Sequence, residues 1–311
     1  MPSELNFGET DNEVAVVVPE NTVTTDIVPV DIPPVPQENN DKGLSFEEIN
    51  DPNKIRVTIA DNQAPLVILY GPPACGKTMT LARLTRYLQG HGYSVEPIKT
   101  FRPAYDAHYN RMCETFNEMI NSDDAADSTS RISFMLVGVY YKGKRLCQIL
   151  EAPGEFYFQK DNPNASYPAY FNVIKNSNNR KIWALMVEPD WQDEKDRRNY
   201  VERIKKLKTM LNPKDKILFL YNKIDLTPYV ISPGNINNSE ARKSVAQLYP
   251  GIFEPFKNQN PITSFLQEYN FDFIPFQTGD YTDNTDGVTF SQGPDVYPKR
   301  LWEVLRKRIM G

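Results

Sequence analysis

Cysteine and histidine are scarce, with only Cys75, Cys113, Cys147 and His91, His108 in 311 residues. Thiols that are odd in number and widely spaced do not make a disulfide framework. Two histidines cannot complete a zinc cluster with metal-like spacing. No apolar run approaches the ~20 residues needed to cross a bilayer. The start MPSELNFGET is acidic and lacks the basic opening and apolar stretch of a signal peptide. These absences point to a reduced, cytoplasmic chain with no transmembrane segment. A broad basic field is missing as well. The net charge is −5, and nine carboxylates against the single Lys42 fall within residues 1–43, leaving the remainder only slightly positive. That distribution argues against a nucleic-acid binder, whose folded part should carry a large positive field.

Residues 1–43 are acidic, interrupted by Pro19, Pro29, Pro33, Pro34 and Pro36, and without helical period. They read as a disordered N-terminal tail. VAVVVP and TDIVPVDIPPVP within it could instead add a strand to a partner's sheet edge. From residue 44 to 311 strand-like and helix-like runs alternate, which predicts one α/β domain with a mostly parallel sheet and helices on both faces. PLVILY predicts a strand, and Leu81, Leu84 and Leu88 recur at helical spacing over 78–89. RISFMLVGVYY and KRLCQIL flank a tight Lys142-Gly143-Lys144 turn, so they should pair as an antiparallel hairpin. KIWALMVEP and KILFLYNKID predict buried strands, with a charged helix between them burying Tyr200, Ile204, Leu207 and Leu211. Two helical stretches, 240–249 and 262–269, lead to the strand FDFIPFQTG, and YPKRLWEVLRKRI predicts a closing amphipathic helix. The stretches near 93–127 and 280–296 look like insertions.

Gly71-Pro72-Pro73-Ala74-Cys75-Gly76-Lys77-Thr78 fits G-x-x-x-x-G-K-[ST] without exception. A loop of this spacing wraps a β-phosphate with backbone N–H groups, and Gly76 permits close approach. Lys77 reaches the β- and γ-phosphates, and Thr78 offers a hydroxyl to Mg²⁺. The helix that follows adds its positive N-terminal end. Cys75 is either a redox handle or a simple spacer.

The phosphate loop does not choose a base; Asn222-Lys223-Ile224-Asp225 does. It matches the N-K-x-D signature of GTPases. A carboxylate at Asp225 can accept from both N1–H and the exocyclic amine of guanine, whereas adenine leaves it unpaired. Lys223 would pack its stem over the base, and Asn222 would tie this segment to the phosphate loop. Gln277-Thr278-Gly279 ends the next strand, where GTPases place a short loop whose backbone meets the guanine oxygen.

Glu151-Ala152-Pro153-Gly154 resembles the D-x-x-G switch, with glutamate in place of aspartate. Glu151 would hold Mg²⁺ through water, and Gly154 would meet the γ-phosphate. Glu155 stands where a water-positioning glutamine is usual, and a carboxylate there faces a triphosphate of like sign. Hydrolysis is therefore expected to be slow or to depend on a partner's cation. Thr129 is the best placed switch threonine for the Mg²⁺ shell, in competition with Ser128 and Ser130. The aromatics Phe156, Tyr157, Phe158, Tyr167 and Tyr170 form either a partner surface or core.

In this order the P-loop, ExxG, NKID and QTG resemble the Ras-like TRAFAC branch of GTPases over residues 60–311. The glutamate and the insertions resemble divergent bacterial members, among them the double-GTPase and conflict-system kinds. LQGHGYSVEPIKTFRPAYD is similar to the segment after the P-loop in signal-recognition-particle GTPases, but those lack the hairpin. The resemblance implies a P-loop NTPase fold of Ras-like type with one antiparallel hairpin strand. It further implies Mg²⁺ with GTP or GDP, catalytic roles for Lys77 and Glu155, and an effector or activating partner at the switch regions. The alternatives are a P-loop ATPase or kinase, and a nucleotide-binding scaffold with negligible turnover.

Overall fold

The computed structural model describes residues 43–121, 134–159, 162–262, 264–265, 267–284 and 287–311. The tail, apart from Gly43, and Thr129 with its neighbours Ser128 and Ser130 lie outside them. The strands in chain order are β1 (Leu66–Tyr70), β2 (Tyr93–Pro97), β3 (Met135–Tyr141), β4 (Lys144–Glu151), β5 (Lys181–Val187), β6 (Lys216–Tyr221), β7 (Val230–Ser232), β8 (Asn235–Ile236), β9 (Asp272–Pro275), β10 (Asp280–Asn284) and β11 (Gly287–Ser291). Seven of them form one sheet in the order β2-β3-β4-β1-β5-β6-β9. β4, β1, β5, β6 and β9 run parallel, while β3 is antiparallel to both β4 and β2. The fold is therefore mixed α/β with a mostly parallel sheet, β2 being added at the edge beyond the antiparallel strand.

Local chemistry accounts for the main elements. β1 and β5 are buried at every position, as strands covered on both faces must be. Lys142 and Gly143 both have positive φ (50° and 74°), the primed turn that matches strand twist and closes the β3–β4 hairpin. The helices are α1 (Phe46–Asn50), α2 (Lys77–Gly90), α3 (Ala107–Asn121), α4 (Gly154–Tyr157), α5 (Ala169–Asn176), α6 (Glu194–Met210), α7 (Asn238–Leu248) and α8 (Val296–Met310). α2 buries Leu81, Leu84 and Leu88. α6 starts where the Asp193 side chain accepts from Asp196 N at 2.8 Å, and it buries Tyr200, Ile204 and Leu207. Leu211 sits just past its end, partly buried.

The stretches read as insertions have structure of their own. Residues 93–121 supply β2 and α3, and 280–291 form the separate hairpin β10–β11. The helix expected over 262–269 is absent among the described residues. Its apolar spacing is helical, but the Asn258 and Asn260 side chains cap turns onto the N–H groups of Asn260 and Ile262. A bridge between Lys257 and Tyr269 then closes the segment as a loop. Tyr269 joins the ring cluster of Phe253 and Phe271, while Ile262 and Phe265 stay in solvent.

Candidate functional site

Side chains of the sequence motifs meet at the carboxyl ends of β1, β4, β6 and β9, where open parallel sheets gather ligands. β1 runs into the phosphate loop, which turns through positive φ at Ala74 (60°) and Gly76 (86°) before α2 begins. Pro72 and Pro73 carry no N–H, so the anion donors of this loop come from Ala74 onward. Lys77 is buried, and its amine donates to the carbonyls of Gly71 (3.2 Å) and Pro72 (2.8 Å). Cys75 is buried, and burial pushes its thiol up to about 11. Burial and low thiolate character favour Cys75 as a spacer over a redox handle.

The hydroxyl of Thr78 donates a short hydrogen bond to Oε1 of Glu151, the last residue of β4. Glu151 is 2% exposed and its Oε2 has no hydrogen-bond partner. Burial pushes this carboxyl up to about 7, against the opposing pulls of the Thr78 hydroxyl and Lys77. A buried carboxylate oxygen without a partner, beside a threonine hydroxyl, is a donor set suited to a hard cation. Among the described residues no group of three or more His, Cys, Asp or Glu could hold a metal. A Mg²⁺ here would take further oxygens from phosphate and water.

Gly154 lies flat against the phosphate loop. A Cβ on it would fall 2.4 Å from both Pro72 C and Pro73 N, so no side chain fits without moving backbone. Glu155, in the first turn of α4, is exposed. The aromatics beyond it are core: Phe156, Tyr157, Phe158 and Tyr170 are all buried, and Tyr157 stacks on Tyr70 at 5.0 Å. Arg203 on α6, fully buried, fixes the segment. Its Nε donates to Tyr157 O at 2.6 Å, Nη1 reaches Pro163 O and Ala165 O, and the guanidinium lies 3.8 Å from the Tyr167 ring centre. Phe156, Tyr157, Phe158 and Tyr170 are thus held inside.

On the base side, Asn222 Nδ2 donates to Cys75 O at 2.9 Å. A Cβ on Gly76 would lie 2.2 Å from that same nitrogen, so the phosphate loop and the NKID turn require a glycine between them. Lys223, at φ 53°, swings the chain into the turn that carries Asp225. Asp225 is solvent-exposed; partial burial and then the charges of Asp280 and Asp190 hold its carboxyl above the ordinary range. Gln277 and Thr278 are buried, and Thr278 Cγ2 would sit 3.9 Å from a Cβ on Gly76.

Sequence reasoning missed Glu188 and Asp190. Glu188 Oε2 lies 2.6 Å and Asp190 Oδ2 3.1 Å from the Lys223 amine, which fixes the stem expected over a base. The signal was present: both carboxylates follow directly on the fully buried β5, at the strand end where ligands collect.

No protein-family model matches the chain, and no curated protein matches it in sequence. Among solved structures it is similar to nucleolar GTP-binding protein 1 from Plasmodium falciparum, at 12% identity and a TM-score of 0.41, over 82% of this chain and 90% of that one. It is similar also to the S. cerevisiae Ski7 GTPase-like domain bound to GDP and inorganic phosphate, at 14% identity and 0.43, over 80% of this chain and 50% of that one. A third likeness is to elongation factor SelB from Methanococcus maripaludis with a GTP analogue, at 11% identity and 0.29, over 70% of this chain and 30% of that one.

Proposed function

We propose that this chain is a guanine-nucleotide-binding switch that hydrolyses GTP slowly, with Mg²⁺. The observation that carries the reading is the Asn222 hydrogen bond to Cys75, which joins the base motif to the phosphate loop as one binding surface. Backbone N–H groups from Ala74 to Thr78 and the Lys77 amine would bind the phosphates. Asp225 would accept from the guanine edge, with Lys223 held over the base by Glu188 and Asp190, and Thr278 would lie beside it. Thr78 and Glu151 would hold the metal, with Thr129 completing the shell; the ion would offset charge on the β- and γ-oxygens.

Gly154 abuts the loop at Pro72 and Pro73, so an added γ-phosphate would act on Gly154 first and on α4 next. Because the aromatic stretch is core, a protein partner would read the exposed face at Glu155 and the segment around Thr129. Glu155 would polarise water poorly against a triphosphate, which makes turnover slow until a partner supplies a cation.

A scaffold with negligible turnover is the second reading, favoured by carboxylates at both Glu151 and Glu155. Single-turnover phosphate release from preloaded GTP separates the two. The switch reading expects a slow, Mg²⁺-dependent release on the order of 10⁻⁴ s⁻¹, comparable to unassisted switches. Release indistinguishable from that of free GTP would leave the scaffold.

A further inference from the structure

α2, the helix that starts in the phosphate loop, carries a buried arginine that no motif explains. Arg83 is 2% exposed. Its guanidinium donates to Gln292 Oε1 at 3.2 Å, Gly293 O at 3.0 Å and Asp295 Oδ1 at 2.7 Å. These three acceptors lie on the stretch that leaves the β10–β11 hairpin and enters α8. Gly293, at φ 63°, lies against the base-side loop, since a Cβ there would be 3.4 Å from Gly279 Cα and 3.5 Å from Asp280 Oδ2. Gln277 closes the same loop from within, donating to Gly279 O at 3.3 Å and to the Asp280 carboxylate. Arg83 therefore ties α2 to Gly293 by a hydrogen bond, and Gly293 stands within the reach of one carbon atom of the loop formed by Gln277, Thr278 and Gly279.

We propose that Arg83 is a positioning residue for base selectivity: it fixes the 277–279 loop relative to the phosphate loop through the exit of the inserted hairpin. This rests on the guanine reading above. An inserted hairpin between the base-side loop and the last helix would otherwise leave that loop tethered on one side only. A planar guanidinium can satisfy three acceptors at once from a single buried position, which a lysine ammonium cannot reproduce with the same geometry. Lys77 and Thr78 stand in the first turn of α2, and none of the contacts made by Arg83 is with a phosphate-loop residue, so its effect is expected on the base side rather than on the phosphates.

The test is titration of the full chain with Mg²⁺ and each of GDP, ADP and inorganic pyrophosphate, for wild type, Arg83→Lys and Asp295→Asn. Arg83→Lys should lose about tenfold in GDP affinity, as expected for lost charge-assisted hydrogen bonds, and the GDP-to-ADP preference should narrow by a similar factor. Pyrophosphate affinity should not change. Asp295→Asn, whose side chain is 65% exposed, should shift GDP a few-fold, about twofold to fivefold, in the same direction with an unaltered melting temperature. It carries the test even if the lysine variant folds poorly. Equal losses for GDP and pyrophosphate, or an unchanged GDP-to-ADP preference in both variants, would overturn the inference while leaving the guanine reading intact. A wild type without guanine preference would remove both.

Discussion

Asp225→Asn is expected to turn base preference from guanine to xanthine nucleotide, with GDP affinity falling by a factor on the order of a thousand. The carboxylate offers two acceptors to the two donors on the guanine edge. An amide offers one acceptor and one donor, which suits the carbonyl that xanthine presents in place of the amine. Asp225 lies in a short turn, where partial burial first, and then the charges of Asp280 and Asp190, hold its carboxyl above the ordinary range. Two N–H donors from a base would supply partners to the charged form of that carboxylate. Competition of GDP and XDP against a fluorescent analogue reads the change. Unaltered GDP preference in the variant would refute the base assignment.

Glu151→Gln should have opposite effects on the empty and the loaded protein. In an unfolded chain the carboxyl titrates near its model value of 4.5, whereas in the folded chain burial lifts it to about 7. Between those values the folded state retains a proton that the unfolded state releases. Stability is therefore full below about pH 4.5 and declines as pH rises to about 7, by about 3 kcal/mol for a shift of this size. Glutamine removes that slope. In EDTA, urea unfolding at pH 8 should show the variant more stable than wild type by about 3 kcal/mol, with the two converging near pH 4.5. With Mg²⁺ and nucleotide the order should invert, because the carboxylate that costs stability when unpaired is the one that would hold the metal. The same pH slope in both proteins would contradict the account of Glu151.

Much of the architecture was legible because its strands are unusually plain. LVILY, KIWALMV and KILFLY are continuous apolar runs, and the Lys142-Gly143 turn announces the antiparallel pair. The stretch 262–269 misled for a definite reason. Its apolar residues recur at helical spacing, but asparagine side chains at 258 and 260 cap turns instead, and Tyr269 is drawn to a ring cluster assembled from residues distant in sequence. The β10–β11 hairpin was hard to read as structure, since DYTDN has no apolar alternation and GVTFS alternates over only Val288 and Phe290.

The site divides in the same way. Local motifs name Lys77, Thr78, Gly154, Asn222 and Asp225, because their roles depend on spacing within a few residues. Glu188, Asp190, Arg83 and Arg203 act only through partners 30 or more residues away, as in Lys223 with Asp190 and Arg203 with Tyr157, and no local pattern records such pairs. Whether the aromatic stretch after Gly154 is surface or core was likewise undecidable from composition. The buried Arg203, which grips its carbonyls, decides it.

The central claim is that one surface binds phosphates and guanine together. The most direct measurement is a Mg²⁺-dependent titration of the full chain with fluorescent GDP, GTP and ADP. The account predicts saturable binding of both guanine nucleotides, at least about a hundredfold tighter than ADP, and weakened when the metal is chelated. Equal or tighter binding of ADP would contradict it and leave only the phosphate loop standing.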